Sequence, residues 1–101
     1  MRELRDAYLT IARVAGPPKE LTRLYERSSE TMNGVGRDHG LLVHVAVPTD
    51  TGLMMVNVWP DVSGSESAAR DPRRLGELAA SGIQPSQFTR EHHEPAHVVL
   101  F

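Results

Sequence analysis

The sequence predicts an α+β fold in which an antiparallel sheet carries two helices on one face. Three observations lead there. Two apolar runs flank a short turn-rich linker, two segments show helical spacing of apolar residues, and aromatic or β-branched strands stand near both ends of the chain. At 101 residues, 40% apolar and 24% charged, the chain is expected to form a single domain over residues 1–101 with one modest core.

The elements follow in order. Ala7 to Val14 reads as a first strand, closed by Gly16-Pro17-Pro18. From Lys19 to about Met32, Leu21, Leu24, Tyr25 and Met32 recur at helical offsets, and Asn33-Gly34 with Gly36 is expected to end the helix. Leu41 to Val47 and Leu53 to Trp59 form a hairpin across Pro48-Thr49-Asp50-Thr51-Gly52. Asp61 to Ser67 reads as a loop or ragged helix start. Ala68 to Ser81 reads as a second helix, interrupted and recapped at Asp71-Pro72, with Leu75, Leu78 and Ala79 buried and Gly82 as terminator. Gln87 to His93 is the last strand, and His97 to Phe101 a short extra strand or tail. The order is the ferredoxin-like split pattern βαββαβ; a simpler α+β meander has the same elements.

The hairpin carries the functional argument. Half-exposed antiparallel strands alternate apolar and polar residues, whereas here His44 and Asn57 are the only polar residues of the two runs. Both faces must be covered. Two helices cover one, and a second copy of the chain is the economical cover for the other, so a homodimer with face-to-face sheets is expected. Placing Pro48 opposite Leu53 puts Val43, Val45 and Val47 with Val58, Val56 and Met54 on one face. Leu42, His44 and Ala46 then lie with Trp59, Asn57 and Met55 on the other. The second face has the character of a small-molecule pocket, apolar with a few converging polar groups. His44 and Asn57 would equally satisfy one another as a core pair, and Trp59 would equally serve as packing.

The stretch Gly40-Leu41-Leu42-Val43-His44-Val45-Ala46, the turn, and Met55-Val56-Asn57-Val58-Trp59-Pro60-Asp61 resembles the dimeric α/β-barrel proteins. It is most similar to the antibiotic-biosynthesis-monooxygenase-like group and its actinobacterial relatives. A strand-ending tryptophan followed by an acidic residue and a helix is that group's most visible feature, and ten Arg against one Lys suits a high-GC source. The resemblance implies a ferredoxin-like protomer, a homodimer whose sheets form a barrel, and one pocket per protomer with Trp59 facing it. Activities in the group include cofactor-independent oxygenation, haem degradation and polyketide cyclisation. The oxygenases place an asparagine four residues before the tryptophan, where this chain has Met55; Asn57 keeps the same strand face but sits about 7 Å further along. The haem-degrading members use a second-helix histidine, and Ser65 to Ile83 contains none.

His44 is accordingly the candidate general base, because an imidazole titrating near neutrality suits proton transfer. Asn57 would orient it or stabilise an oxyanion. Trp59, Met55, Leu42 and Tyr25 are the candidate substrate-binding residues. The expected reactions are cofactor-free oxygenation of a phenolic or quinol-like compound, or a polyketide-type cyclisation; the alternative is a non-catalytic ligand-binding or structural dimer.

Other chemistries find little support. The absence of cysteine excludes disulfides and thiolate sites. No cofactor or metal is expected: His92 and His93 point to opposite faces of a strand, and about 14 Å separates His44 from that strand. His92 and His93 read as strand-surface or interface residues, and Arg73-Arg74 as a solvated helix face. Gly34-Val35-Gly36 follows a helix and is no phosphate loop. The net charge of -2 speaks against nucleic-acid binding, no apolar run suits a membrane span, and the charged start is unlike a signal peptide, so a cytoplasmic location is expected.

Overall fold

Four strands form the central antiparallel sheet: β2 (Tyr8–Ala15), β3 (Val43–Thr49), β4 (Gly52–Trp59) and β5 (Phe88–His93), in spatial order β3-β4-β2-β5. The computed structural model describes residues 1–101. Helices α1 (Pro18–Asp38), α2 (Val62–Ala69) and α3 (Pro72–Ser81) complete the α+β ferredoxin-like arrangement. The hairpin has the register expected from its segregated faces, with His44 opposite Asn57 and Val45 opposite Val56.

Two further strands, β1 (Arg2–Leu4) and β6 (Val98–Leu100), pair with each other and join the two chain ends. The sequence left the C-terminal segment open between strand and tail and did not foresee its partner. His97 and Glu3 also pair side chain to side chain beside this ribbon.

Helix α1 runs six residues beyond Met32, to Asp38, so the glycines at 34 and 36 lie inside it. Gly36 is kept helical by what it touches: a Cβ there would stand 2.7 Å from Leu41 Cδ2. The stop falls instead at Gly40, whose φ of 85° is the left-handed value glycine tolerates. The amide of Leu41 donates to the Gly36 carbonyl at 2.8 Å and that of Gly40 to the Arg37 carbonyl at 3.3 Å, a Schellman closure.

The hairpin turn is tighter than a pentapeptide, because the strands reach Thr49 and Gly52 and leave Asp50 and Thr51 at the tip. Pro48 is tolerated within β3 because β3 is an edge strand. Of the two readings of Asp61 to Ser67, the helix start holds: the second helical region begins at Val62, where the Asp61 carboxylate accepts from the Ser63 amide at 2.9 Å. Asp71 recaps α3 as expected, accepting from the Arg73 amide at 2.9 Å, and Gly82 ends it in the left-handed region. The buried stripe of α3 differs from the expected one: Leu78 is half-buried, while Leu75 and Ala79 face solvent. The helix is turned so that Arg74, Glu77 and Ser81 join Leu78 on its inner side.

The core is thin. Val14, Leu21 and Leu53 form one buried cluster, edged by Tyr25, Met55, Ile83 and Phe88. Val35, Trp59 and Ala68 form a second, edged by Tyr8 and Leu41. No helix is long and apolar enough to cross a membrane.

Candidate functional site

Alternate residues of each strand point toward the helices, so the register stacks the inner face into rows across the sheet. One row holds Trp59 and Tyr8. The next holds His44, Asn57, Thr10 and His92, one polar residue from each of the four strands. Ala46, Met55, Ala12 and Arg90 follow, and then Pro48, Leu53, Val14 and Phe88. A polar band thus crosses an otherwise mostly apolar floor.

Between this floor and the helices lies a cavity of about 410 Å³, within the range of small-molecule sites. Members of both core clusters border it, as do His44, Asn57, Tyr25, Met55 and Trp59. Of the residues singled out from the sequence, only Leu42 lies outside. It lines a shallow depression beside Asn33 and Arg37, because the turn through Gly40 directs Leu41 inward instead.

Three of these side chains form a hydrogen-bonded chain. His44 Nδ1 lies 2.6 Å from Asn57 Oδ1, and His44 Nε2 lies 2.8 Å from the Tyr25 hydroxyl. Because the amide oxygen only accepts, the imidazole carries its proton on Nδ1 and donates it to Asn57. Nε2 then offers a lone pair, which receives the Tyr25 O–H. The Tyr25 and His44 rings also stack, with centroids 5.7 Å apart and planes inclined by 19°. Tyr25 reaches this position from the apolar stripe of α1, which packs on the Leu21 cluster. The arrangement is a relay: a proton leaving the Tyr25 oxygen has an acceptor aligned by the Asn57 amide.

Trp59 serves the cavity as a wall. It is 5% exposed and packed between Val35 and Ala68, and its indole Nε1 is buried without a hydrogen-bond partner. Gly64 on α2 is what lets the helix approach so closely, since a Cβ there would stand 3.0 Å from the indole and 2.4 Å from the His39 carbonyl.

Among the cavity residues that the sequence reading missed are Thr10, His92, Arg74 and Arg90. Thr10 and His92 complete the polar row, but only the pairing of β2 with both β4 and β5 reveals this. His92 is therefore not simply a strand-surface residue: it borders the cavity and stacks on Tyr8 at 5.6 Å, while His93, on the opposite face, contacts Glu91. The reading of Arg73-Arg74 as one solvated face also needs correction. Arg73 clamps Asp71 and Asp38, whereas Arg74 borders the cavity and donates to the Ala69 carbonyl at 3.1 Å. Burial, reinforced by the nearby Arg90 charge, lowers the Arg74 pKa. Arg90 lies over the Phe88 ring at 5.3 Å.

Outside the cavity, Asp71 joins α1 to α3. It accepts from Arg73 and lies 2.9 Å from His39 Nε2. These contacts, the Arg73 guanidinium first, hold its carboxyl well below the usual carboxylate range. No three His, Asp or Glu side chains converge in a way that would hold a metal ion.

No protein-family model matches the chain, and no curated protein is similar to it. Solved structures are. The chain superposes on SnoaB, a cofactor-independent oxygenase from Streptomyces nogalater, with a TM-score of 0.62 and 20% identity, over 95% of this chain and 94% of that one. Rv0793 from Mycobacterium tuberculosis gives 0.70 at 15% identity, over 89% and 95% of the two chains. A candidate antibiotic biosynthesis monooxygenase from Caulobacter crescentus CB15 gives 0.70 at 12% identity, over 91% and 92%. The strand order, the helices on one face and these superpositions agree: the chain has the ferredoxin-like α+β fold of the antibiotic-biosynthesis-monooxygenase-like proteins.

Proposed function

We propose that the chain is a cofactor-independent monooxygenase acting on a small planar phenolic or polyketide-like compound held between sheet and helices. The observation that carries this is the Tyr25–His44–Asn57 relay at the wall of a mostly apolar cavity. The phenolic O–H gives its proton to the Tyr25–His44 pair, leaving an electron-rich phenolate. Dioxygen adds to the activated ring carbon, forming a C–OOH bond. The O–O bond then breaks as the remaining hydrogen leaves that carbon, so one oxygen departs in water and the other stays as the quinone carbonyl. Phenol and dioxygen thus balance quinone and water, and no external reductant enters. SnoaB, which has this fold, is described as a cofactor-independent oxygenase.

We further propose that the working unit is a homodimer of single-domain protomers, joined through the outer sheet face. Val43, Val45 and Val47 are exposed there, beside Val56, Val58 and Met54 of β4. The protomer's accessible surface is 6691 Å², against about 5,700 Å² expected for a folded monomer of 11.2 kDa. The excess is of the size that one partner of a standard interface buries, ~800 Å².

A ligand-binding role without turnover has one observation in its favour: the relay is internally satisfied, as a purely structural polar network would be. His44→Ala separates the two. With oxygen uptake measured on a panel of naphthols and anthrones, an enzyme loses about 10²–10⁴-fold in turnover while staying folded. A lowered melting temperature with no uptake in either protein would overturn the oxygenase reading.

A further inference from the structure

We infer that the cavity takes an anionic ligand, its carboxylate held between Arg74 of α3 and Arg90 of β5. This rests on the reading of the cavity as a small-molecule site and names the class of molecule. Both guanidinium groups border the cavity, and neither has a carboxylate within ion-pair distance. The acidic groups nearby are engaged or set apart. Glu91, beside Arg90 in sequence, is held by Arg13 and His93. Glu77, on the inner side of α3, pairs with neither arginine.

Burial and the charge of Arg90 both weigh on the Arg74 guanidinium. Two like charges at the edge of a low-dielectric space repel, and an anion between them removes that cost. Both are braced for the task. The Ala69 carbonyl anchors Arg74 at 3.1 Å, and the Phe88 ring lies under Arg90. Because guanidinium forks match carboxylate geometry, the fit is to a planar acid rather than to a diffuse anion. Arg90 stands one row from the polar band, on the strand edge opposite His44. A ligand anchored there would lie across the floor with its far ring at the relay.

The test compares 1-hydroxy-2-naphthoate with 1-naphthol by isothermal titration calorimetry. The naphthoate is expected to bind the wild-type protein at least about tenfold more tightly, in line with charge-assisted pairing. In Arg74→Gln/Arg90→Gln the preference should fall to within threefold. Arg23→Gln, an exposed charge on α1, should keep the preference. Should the double variant fail to fold by circular dichroism, Arg90→Gln alone, at an exposed position, should still cut the preference at least threefold. Equal binding of the two probes by the wild type, a preference surviving both substitutions, or an equal loss in Arg23→Gln overturns the anion site and leaves the cavity reading standing. Failure of both probes to bind overturns both.

Discussion

One sheet presents two faces, and the same strands treat them differently. On the inner side the rows run from Trp59 and Tyr8 through the polar band to Leu53, Val14 and Phe88, and helices close over a space they do not fill. On the outer side, Leu9, Ile11, Val43, Val45, Val47, Met54, Val56 and Val58 form a nearly continuous apolar field, and Arg13, Glu91 and His93 gather at the β5 edge. The inner face has chemistry and little close packing; the outer face has packing groups and almost no chemistry. That contrast is what the two proposals rest on: a site where polar groups are spaced among apolar ones, and an interface where they are absent.

The sharpest way to break the comparison is to charge the outer face. Val45→Asp puts a carboxylate at an exposed position of the protomer, where it costs the isolated fold little. Buried without a partner between two sheets, it costs roughly 3–5 kcal/mol, more than a hundredfold in Kd. Light scattering is expected to give a dimer for the wild type and a monomer of half the mass for the variant. A wild-type monomer at micromolar concentration would remove the outer face from the argument and leave the inner face untouched.

The hairpin was legible because its period-two segregation is strict: a slip of one residue would have mixed His44 and Asn57 with the valines. That fixed two of the four residues of the polar row. Thr10 and His92 were not legible, because β2 meets β4 and β5 across long sequence separations that no local pattern encodes. Arg74 was hidden for another reason: its position on α3 looks polar in the sequence, and only the docking of α3 turns it inward. The end of α1 was misplaced because local propensity at Gly34 and Gly36 yields to a tertiary contact, the seating of Leu41 on Gly36.

A smaller effect probes how the inner face holds its shape. Gly64→Ala places a methyl 2.4 Å from the His39 carbonyl and 3.0 Å from Trp59, so α2 must lift from the sheet. A loss of about 1–3 kcal/mol is expected in urea unfolding, the usual range for overpacking. Trp59 is the only tryptophan, so its emission should shift to the red as its cover loosens. Unchanged stability and emission would mean that the helix layer is more compliant than its close contacts imply.

The smallest effect concerns the clamp at the rim, and its sign follows from Asp71. In the folded chain its carboxyl titrates well below the unfolded value of about 4. A depressed folded pKa contributes stability that is present above the unfolded pKa. That contribution is lost as pH falls through about 4 toward the folded value. Asp71→Asn retains an N-cap for α3 but gives up the charge that Arg73 and His39 face. The variant should therefore be modestly less stable than the wild type at pH 7, and the two should converge as pH is lowered from 4 toward 2, measured by urea unfolding at each pH. Oligomeric state should be the same in both, because the clamp ties α1 to α3 on the helical side and touches nothing on the outer face. A variant that changed oligomeric state would show that the two faces are coupled through the helices, and would end the separation of roles drawn between them.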